Sequence, residues 1–130
     1  MTASESKVST LRVLVVEDHA PSRTALVRLL QYMGFEVASC GNVAEAMRLL
    51  AASPHILILD LMLPDGNGTQ VLRRLRDQKM PIAVAVVSGA GDEMLMEATV
   101  LKPDALFGKP IDLPDFKDWL TQQAQRLRGE

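Results

Sequence analysis

Four apolar runs of this chain end on residues that can do chemistry. Glu17 and Asp18 follow run 11–16, Asp60 follows run 56–59, Ser88 follows run 82–87, and Lys109-Pro110 follow run 105–108. In an open parallel sheet, ligands bind at the carboxyl ends of the strands. One edge would then hold three carboxylates, one hydroxyl and one ammonium. That set suits a hard divalent cation and a phosphoryl group. Carboxylates crowded together repel, and a divalent cation relieves the repulsion. Mg2+ takes oxygen ligands, uses few carboxylates and keeps several waters. Asp18 and Asp60 fit as direct ligands, with Glu17 nearby or acting through water. Asp60 ends an apolar strand, where a lone carboxylate is costly unless paired or metal-bound. As a nucleophile it could attack a phosphoryl donor and form an acyl phosphate. Lys109 and Ser88 could contact phosphoryl oxygens. Taken singly, each residue has a plainer reading: Glu17-Asp18 a charged strand end, Ser88 a loop starter, Lys109 a surface lysine. Pro110 is compatible with a cis peptide that turns the lysine inward.

The elements that must position these residues alternate in period. Runs 11–16, 56–59 and 82–87 are continuous and rich in Val and Ile, as in strands covered on both faces. Runs 36–40 and 105–108 are shorter and suit the sheet edges. Between them the spacing is helical. Leu26, Leu29, Leu30 and Met33 form one stripe, which Gly34 ends. Val43, Ala46, Met47 and Leu50 form the next, with Asn42 as N-cap and Glu45 at the third helical position. Val71, Leu72 and Leu75 follow, leaving Arg73, Arg74 and Arg76 on a solvated face. The last stripe is Leu113, Phe116, Leu120, Ala124 and Leu127. Segment 92–101 differs: Met94, Ala98 and Leu101 share one face, while Met96 and Val100 project opposite. Such a helix is either fully buried or carries a partner surface. The expected fold is α/β: a doubly wound, flavodoxin-like, five-stranded parallel sheet of order 2-1-3-4-5 with five helices. Right-handed crossovers leave few other topologies, and this order sets strands 1 and 3 side by side, bringing Asp18 to Asp60.

The chain has 130 residues, 48% apolar and 23% charged, with a formal net charge of −2. That is one globular domain. The expected limits are a disordered tail over 1–10, the domain over 11–127 and a short tail over 128–130. No basic patch points to nucleic acid, and no stretch approaches a membrane span. The single Cys40 suits a reducing cytoplasm and reads as a small apolar filler. His19 and His55 read as loop histidines.

These segments resemble the receiver domains of the two-component response regulator family. VLVVED (13–18), ILILDLMLPDGNG (56–68), VVSGA (86–90) and FGKP (107–110) carry the likeness. It spans roughly residues 11–127, with Pro64 and Gly68 at the family's usual offsets from the acceptor. The resemblance implies that Asp60 is the phosphoacceptor and Asp18 a direct Mg2+ ligand, with Glu17 its acidic neighbour. It implies the Met62 backbone carbonyl as a further ligand, Ser88 as the switching hydroxyl and Lys109 as the family's lysine. It implies a histidine kinase or phosphotransfer protein as phosphoryl source, with small acyl phosphates able to substitute. The expected output is a downstream protein met through helix 4, strand 5 and helix 5, with Met96, Val100 and Trp119 as candidate contacts. On this reading the chain is a phosphoacceptor and not an enzyme.

Two departures stand out. Leu106 occupies the family's aromatic switch position, and Phe107 should face the other side of the sheet. Lys102-Pro103-Asp104 replace the usual Gly-Ala stretch. Met62 and Ala90 offer no side-chain hydrogen bond to orient water, so self-dephosphorylation is expected to be slow. A phosphorylation-independent interaction module of the same fold is the alternative function. A haloacid-dehalogenase-type phosphohydrolase would need a D-x-D pair and a cap, and a flavodoxin-like cofactor binder a Ser/Thr-rich loop after the first strand. Neither feature is present.

Overall fold

The computed structural model describes residues 10–89 and 91–129. The expected N-terminal tail, apart from Thr10, and Ala90 lie outside them. Five parallel strands form the sheet: β1 (Arg12–Val16), β2 (Glu36–Cys40), β3 (Ile56–Leu59), β4 (Ala83–Ser88) and β5 (Ala105–Gly108). Their order is β2-β1-β3-β4-β5, the order expected from sequence. The central strands β3 and β4 are buried throughout, whereas β5 alternates between half-buried and exposed positions. That is the difference between a strand with two neighbours and an edge strand.

Five helices cover the sheet: α1 (Ala20–Tyr32), α2 (Val43–Leu49), α3 (Thr69–Asp77), α4 (Asp92–Val100) and α5 (Leu113–Arg128). Strand side chains alternate between two cores. Val13, Val15, Ile56, Ile58, Ala85 and Val87 pack with Leu26 and Leu30 of α1 and with Phe116, Leu120 and Ala124 of α5. Leu14, Val16, Leu57, Leu59, Val84 and Val86 pack with α2, α3 and Ala98 of α4. Gly34 ends the first helical segment with φ +96°, as its position suggests. Asn42 caps α2 by accepting the Glu45 amide at 2.8 Å. Glu45 does not reach back to complete a capping box; its carboxylate pairs with Arg48 at 2.6 Å. Helix α5 runs through Arg128, one residue past the expected limit, and Gly129 caps it in the left-handed region.

Two readings of the helices change. Leu113 was expected in the apolar stripe of α5 but is exposed, lining an open groove with Leu29 and Ile111. Arg76 was expected on a solvated face. It is half-buried and donates to the Leu101 carbonyl at 2.9 Å and the Lys102 carbonyl at 2.6 Å. A cation thus satisfies orphan carbonyls at the C-terminus of α4. The departure at 102–104 has a structural answer too: the Asp104 carboxylate accepts the Val84 amide at 2.7 Å, anchoring the entry to β5.

His55 is more than a loop histidine. Its Nδ1 accepts the Arg12 amide at 2.9 Å, while its own amide donates to the Arg12 carbonyl at 2.9 Å. Burial, and then the Arg12 charge, push the imidazole below its ordinary value of 6.5. A base with a lowered folded pKa contributes stability above its unfolded value, and that stability is lost as pH falls below it. Acidification from pH 7 to 5 should therefore cost roughly 0.5 kcal/mol through this group, the low end for a half-exposed hydrogen bond. Denaturation of His55→Ala beside the parent checks this: the difference between them should shrink as pH falls, and a constant difference rejects the assignment.

Candidate functional site

The parallel register sets the site. Val16 of β1 pairs with Leu59 of β3, and the Asp60 amide donates to the Val16 carbonyl at 2.9 Å. Glu17 therefore stands beside Asp60 just past the strand ends. On the far side, Val86 pairs with both Leu59 and Leu106. This ladder carries Ser88 and Lys109 to the same edge.

Four of the six expected residues meet there through side chains. Lys109 Nζ donates to Glu17 Oε1 at 2.7 Å and to Asp60 Oδ2 at 2.8 Å. Asp60 Oδ1 accepts Ser88 Oγ at 3.2 Å and the Met62 amide at 3.0 Å. Glu17 Oε2 accepts the His19 amide at 3.1 Å. Glu17 is only 3% exposed and Asp60 only 6%. Buried carboxylates of this kind need a counter-charge, and Lys109, its side chain 33% exposed, supplies it. Partial burial pulls the ammonium down, but the hydrogen bonds it donates to Asp60 and Glu17, and their charges, outweigh it, holding Lys109 above its ordinary value. The Lys109-Pro110 peptide is cis.

Asp18 was expected to meet Asp60. It is exposed at the same edge, and its carboxylate joins none of these hydrogen bonds, whereas Lys109 links Glu17 to Asp60. The Met62 side chain is exposed. Among the described residues no three acidic or histidine side chains converge as a ready-made metal cage. Mg2+ does not need one, since it takes one or two carboxylates and keeps its waters. The donors at this edge, carboxylates of Asp18 and Asp60 and the Met62 carbonyl, are hard oxygens, so the residues fit that ion in kind.

Sequence reasoning missed several supporting residues. Asp65 accepts the Val43 amide at 2.7 Å and the Ala44 amide at 3.0 Å. These bonds hold its carboxyl below the ordinary value and tie the loop after Asp60 to the start of α2. That loop folds as a short antiparallel ladder of Met62–Leu63 with Gly66–Asn67. Its Asn67 and the Thr69 hydroxyl both donate to Glu97 of α4 at 3.4 Å. Pro-Asp-Gly at 64–66 is a turn signal, but nothing local predicts a bond across 22 residues.

Beyond the site, α4 turns Met96 and Val100 outward, Val100 being 77% exposed. Leu106 is exposed on β5. Phe107 does face the other side of the sheet, edge-on to Phe116 at 5.3 Å and to Trp119 at 6.3 Å. Trp119 is half-buried by that packing, so less of it is offered to a partner than its position in sequence suggested. No helix among the described residues is long and apolar enough to cross a membrane.

Comparison with known proteins adds an independent line. The family model described as response regulator receiver domain matches residues 13–121. A protein-glutamate methylesterase/protein-glutamine glutaminase of Myxococcus xanthus is 36% identical over 95% of this chain and 35% of its own length. A positive alginate biosynthesis regulatory protein of Pseudomonas aeruginosa is 32% identical over 91% of this chain and 49% of its own length. The chain thus spans about half or less of the length of these relatives. The crystal structure of the N-terminal domain of an uncharacterized protein from Wolinella succinogenes superposes with a TM-score of 0.86 at 26% identity, covering 93% of this chain and all of that one.

Proposed function

The chain belongs to the response regulator receiver domain family, and on that premise we propose that it is a phosphorylation-driven signalling switch whose acceptor is Asp60. The observation that carries the reading is the pairing at the sheet edge: Lys109 Nζ lies between Glu17 and Asp60 at 2.7 and 2.8 Å, with Ser88 Oγ on the other Asp60 oxygen. In the transfer, an Asp60 carboxylate oxygen attacks the phosphorus of the donor. An O–P bond forms as the bond from phosphorus to the donor breaks, and its electron pair leaves with the donor's nitrogen or oxygen. The product is an acyl phosphate on Asp60. Lys109 and Ser88 already hydrogen-bond Asp60, so small movements let them donate to phosphoryl oxygens where charge accumulates. Mg2+, held by Asp18, Asp60 and the Met62 carbonyl with Glu17 acting through water, would neutralise charge on acceptor and donor.

The donor on this reading is a histidine kinase or phosphotransfer protein in the cytoplasm. The output is a protein partner on the surface of α4, β5 and α5, supported by the exposed Met96, Val100 and Leu106. The esterase named for the Myxococcus relative belongs to that protein; this chain acts here as acceptor and not as hydrolase. Intact mass after incubation with acetyl phosphate and Mg2+ tests the proposal. One phosphoryl adduct should form only with Mg2+ and should vanish in Asp60→Asn. Absence of the adduct, with Mg2+ binding verified separately, would favour a phosphorylation-independent interaction module.

A further inference from the structure

Arg23, in the first turn of α1, spends its guanidinium in an unexpected place. Two carboxylates lie next door, yet among the described residues it makes no ion pair with either. Nη1 instead donates to two successive backbone carbonyls, Glu17 at 2.8 Å and Asp18 at 3.2 Å. The opposite wall is Gly41, directly after β2. A Cβ there would sit 3.0 Å from Arg23 Nη1 and 3.5 Å from the Glu17 carbonyl, so the absence of a side chain makes room for the guanidinium.

The two acidic residues are held differently. The Glu17 side chain is fixed by Lys109 and the His19 amide, and its own amide donates to the Cys40 carbonyl at 3.0 Å. The Asp18 carboxylate is exposed and joins no such network. Its aim is therefore set by the main chain that carries it, and the Asp18 carbonyl is gripped by Arg23. Because the cation bonds carbonyls, the Asp18 carboxylate keeps its charge available for another cation.

We propose that Arg23 is a positioning residue for Mg2+: by clamping the Glu17 and Asp18 carbonyls it presents the Asp18 carboxylate to the ion, in a slot that Gly41 leaves open. This rests on the reading of the edge as a Mg2+-dependent phosphoryl site. The two effects Arg23 could have on the ion are opposite in sign. As a bare positive charge it repels Mg2+, so deleting it would tighten binding. As a clamp it orders a ligand, so deleting it weakens binding. Loss of a group that orients a metal ligand costs about 10-fold or more in affinity.

The test is a Mg2+ titration followed by backbone amide shifts of residues 17, 18 and 60, which needs no phosphoryl donor. It compares the unsubstituted chain with Arg23→Met, Arg23→Lys and Gly41→Ala, each first checked for cooperative unfolding. Arg23→Met should raise the Mg2+ dissociation constant about 10-fold. Arg23→Lys, which keeps the charge on a shorter, single-point donor, should fall between Arg23→Met and the parent. Gly41→Ala keeps Arg23 but crowds it, and should weaken binding in the same direction by less. Unchanged or tighter binding in Arg23→Met overturns the clamp while leaving the proposed switch intact. A parent chain with no saturable Mg2+ response rejects the Mg2+ reading and the clamp with it.

Discussion

Replacing Lys109 with Met should destabilise the fold by about 2–3 kcal/mol at neutral pH, and Mg2+ should recover part of the loss. Removing one partner of a fully buried ion pair costs roughly 3–5 kcal/mol, because an uncompensated charge stays inside. Here one ammonium serves two carboxylates, Glu17 and Asp60, both nearly inaccessible. Lys109 itself is a third exposed, so water screens part of the effect and the lower figure applies. The pH dependence has a definite sign. Lys109 is held above its ordinary 10.5. A base with a raised folded pKa contributes stability that is complete below the unfolded value and lost as pH rises through the folded one. The gap between parent and variant should therefore stay level from pH 7 to 9 and narrow only in strong alkali. A divalent cation is the other counter-charge these carboxylates can recruit, and any ligand of the native state stabilises it by mass action. Millimolar Mg2+ should then raise the melting temperature of Lys109→Met more than that of the parent. Equal melting of the two proteins without Mg2+ would show that the pairing is energetically idle.

Local signals explain how much of this was readable. The central strands announce themselves because strands covered on both faces are continuously apolar, and the order of the sheet follows from connection rules. Glu17, Asp60, Ser88 and Lys109 were legible as one site because each directly follows a strand run. The bridge that Lys109 makes from Glu17 to Asp60, which leaves the Asp18 carboxylate out, was not. Two adjacent acids look alike in sequence, and which of them a lysine from a distant strand end meets is set by the tertiary fold. The same limit hid Arg23, Asp65 and Arg76. Each uses a side chain to satisfy backbone groups of another element: Asp65 reaches 22 residues back to Val43, and Arg76 reaches 25 residues on to Leu101. Periodicity reports which face of a helix is apolar and is silent about such bonds. It misled outright at Arg76, where a charge on a helix was read as solvated, and at Leu113, where an apolar first-turn residue was read as core.

Gly68→Ala should be the more informative substitution, because it moves the acceptor without touching it. Gly68 has φ −57° and ψ −21°, an ordinary helical conformation that any residue adopts, so freedom of rotation is not why glycine stands there. Space is. A Cβ at Gly68 would overlap the Asp60 carbonyl oxygen and lie 2.8 Å from the Leu61 Cα. Both obstacles are backbone and cannot swing aside as a side chain can. The contact is reinforced by the Gly68 amide, which donates to the Leu61 carbonyl at 2.8 Å, and by the Gly68 carbonyl, which accepts the Val71 amide of α3 at 3.0 Å. An added methyl must push the start of α3 away from Asp60 or push Asp60 away from Lys109 and Ser88. Overpacking of this kind costs about 1–3 kcal/mol. A displacement near 1 Å at a reacting group slows chemistry about 100-fold. Denaturant unfolding and the rate of adduct formation from acetyl phosphate separate the two routes. Lost stability with a normal rate per folded molecule means α3 yielded; a slowed rate means Asp60 did. Gly89→Ala is the matched control, since among the described residues its Cβ would meet only the Lys109 Cβ at 3.8 Å, an ordinary contact. If Gly68→Ala matches that control in both stability and rate, close approach is not the reason for glycine behind the acceptor.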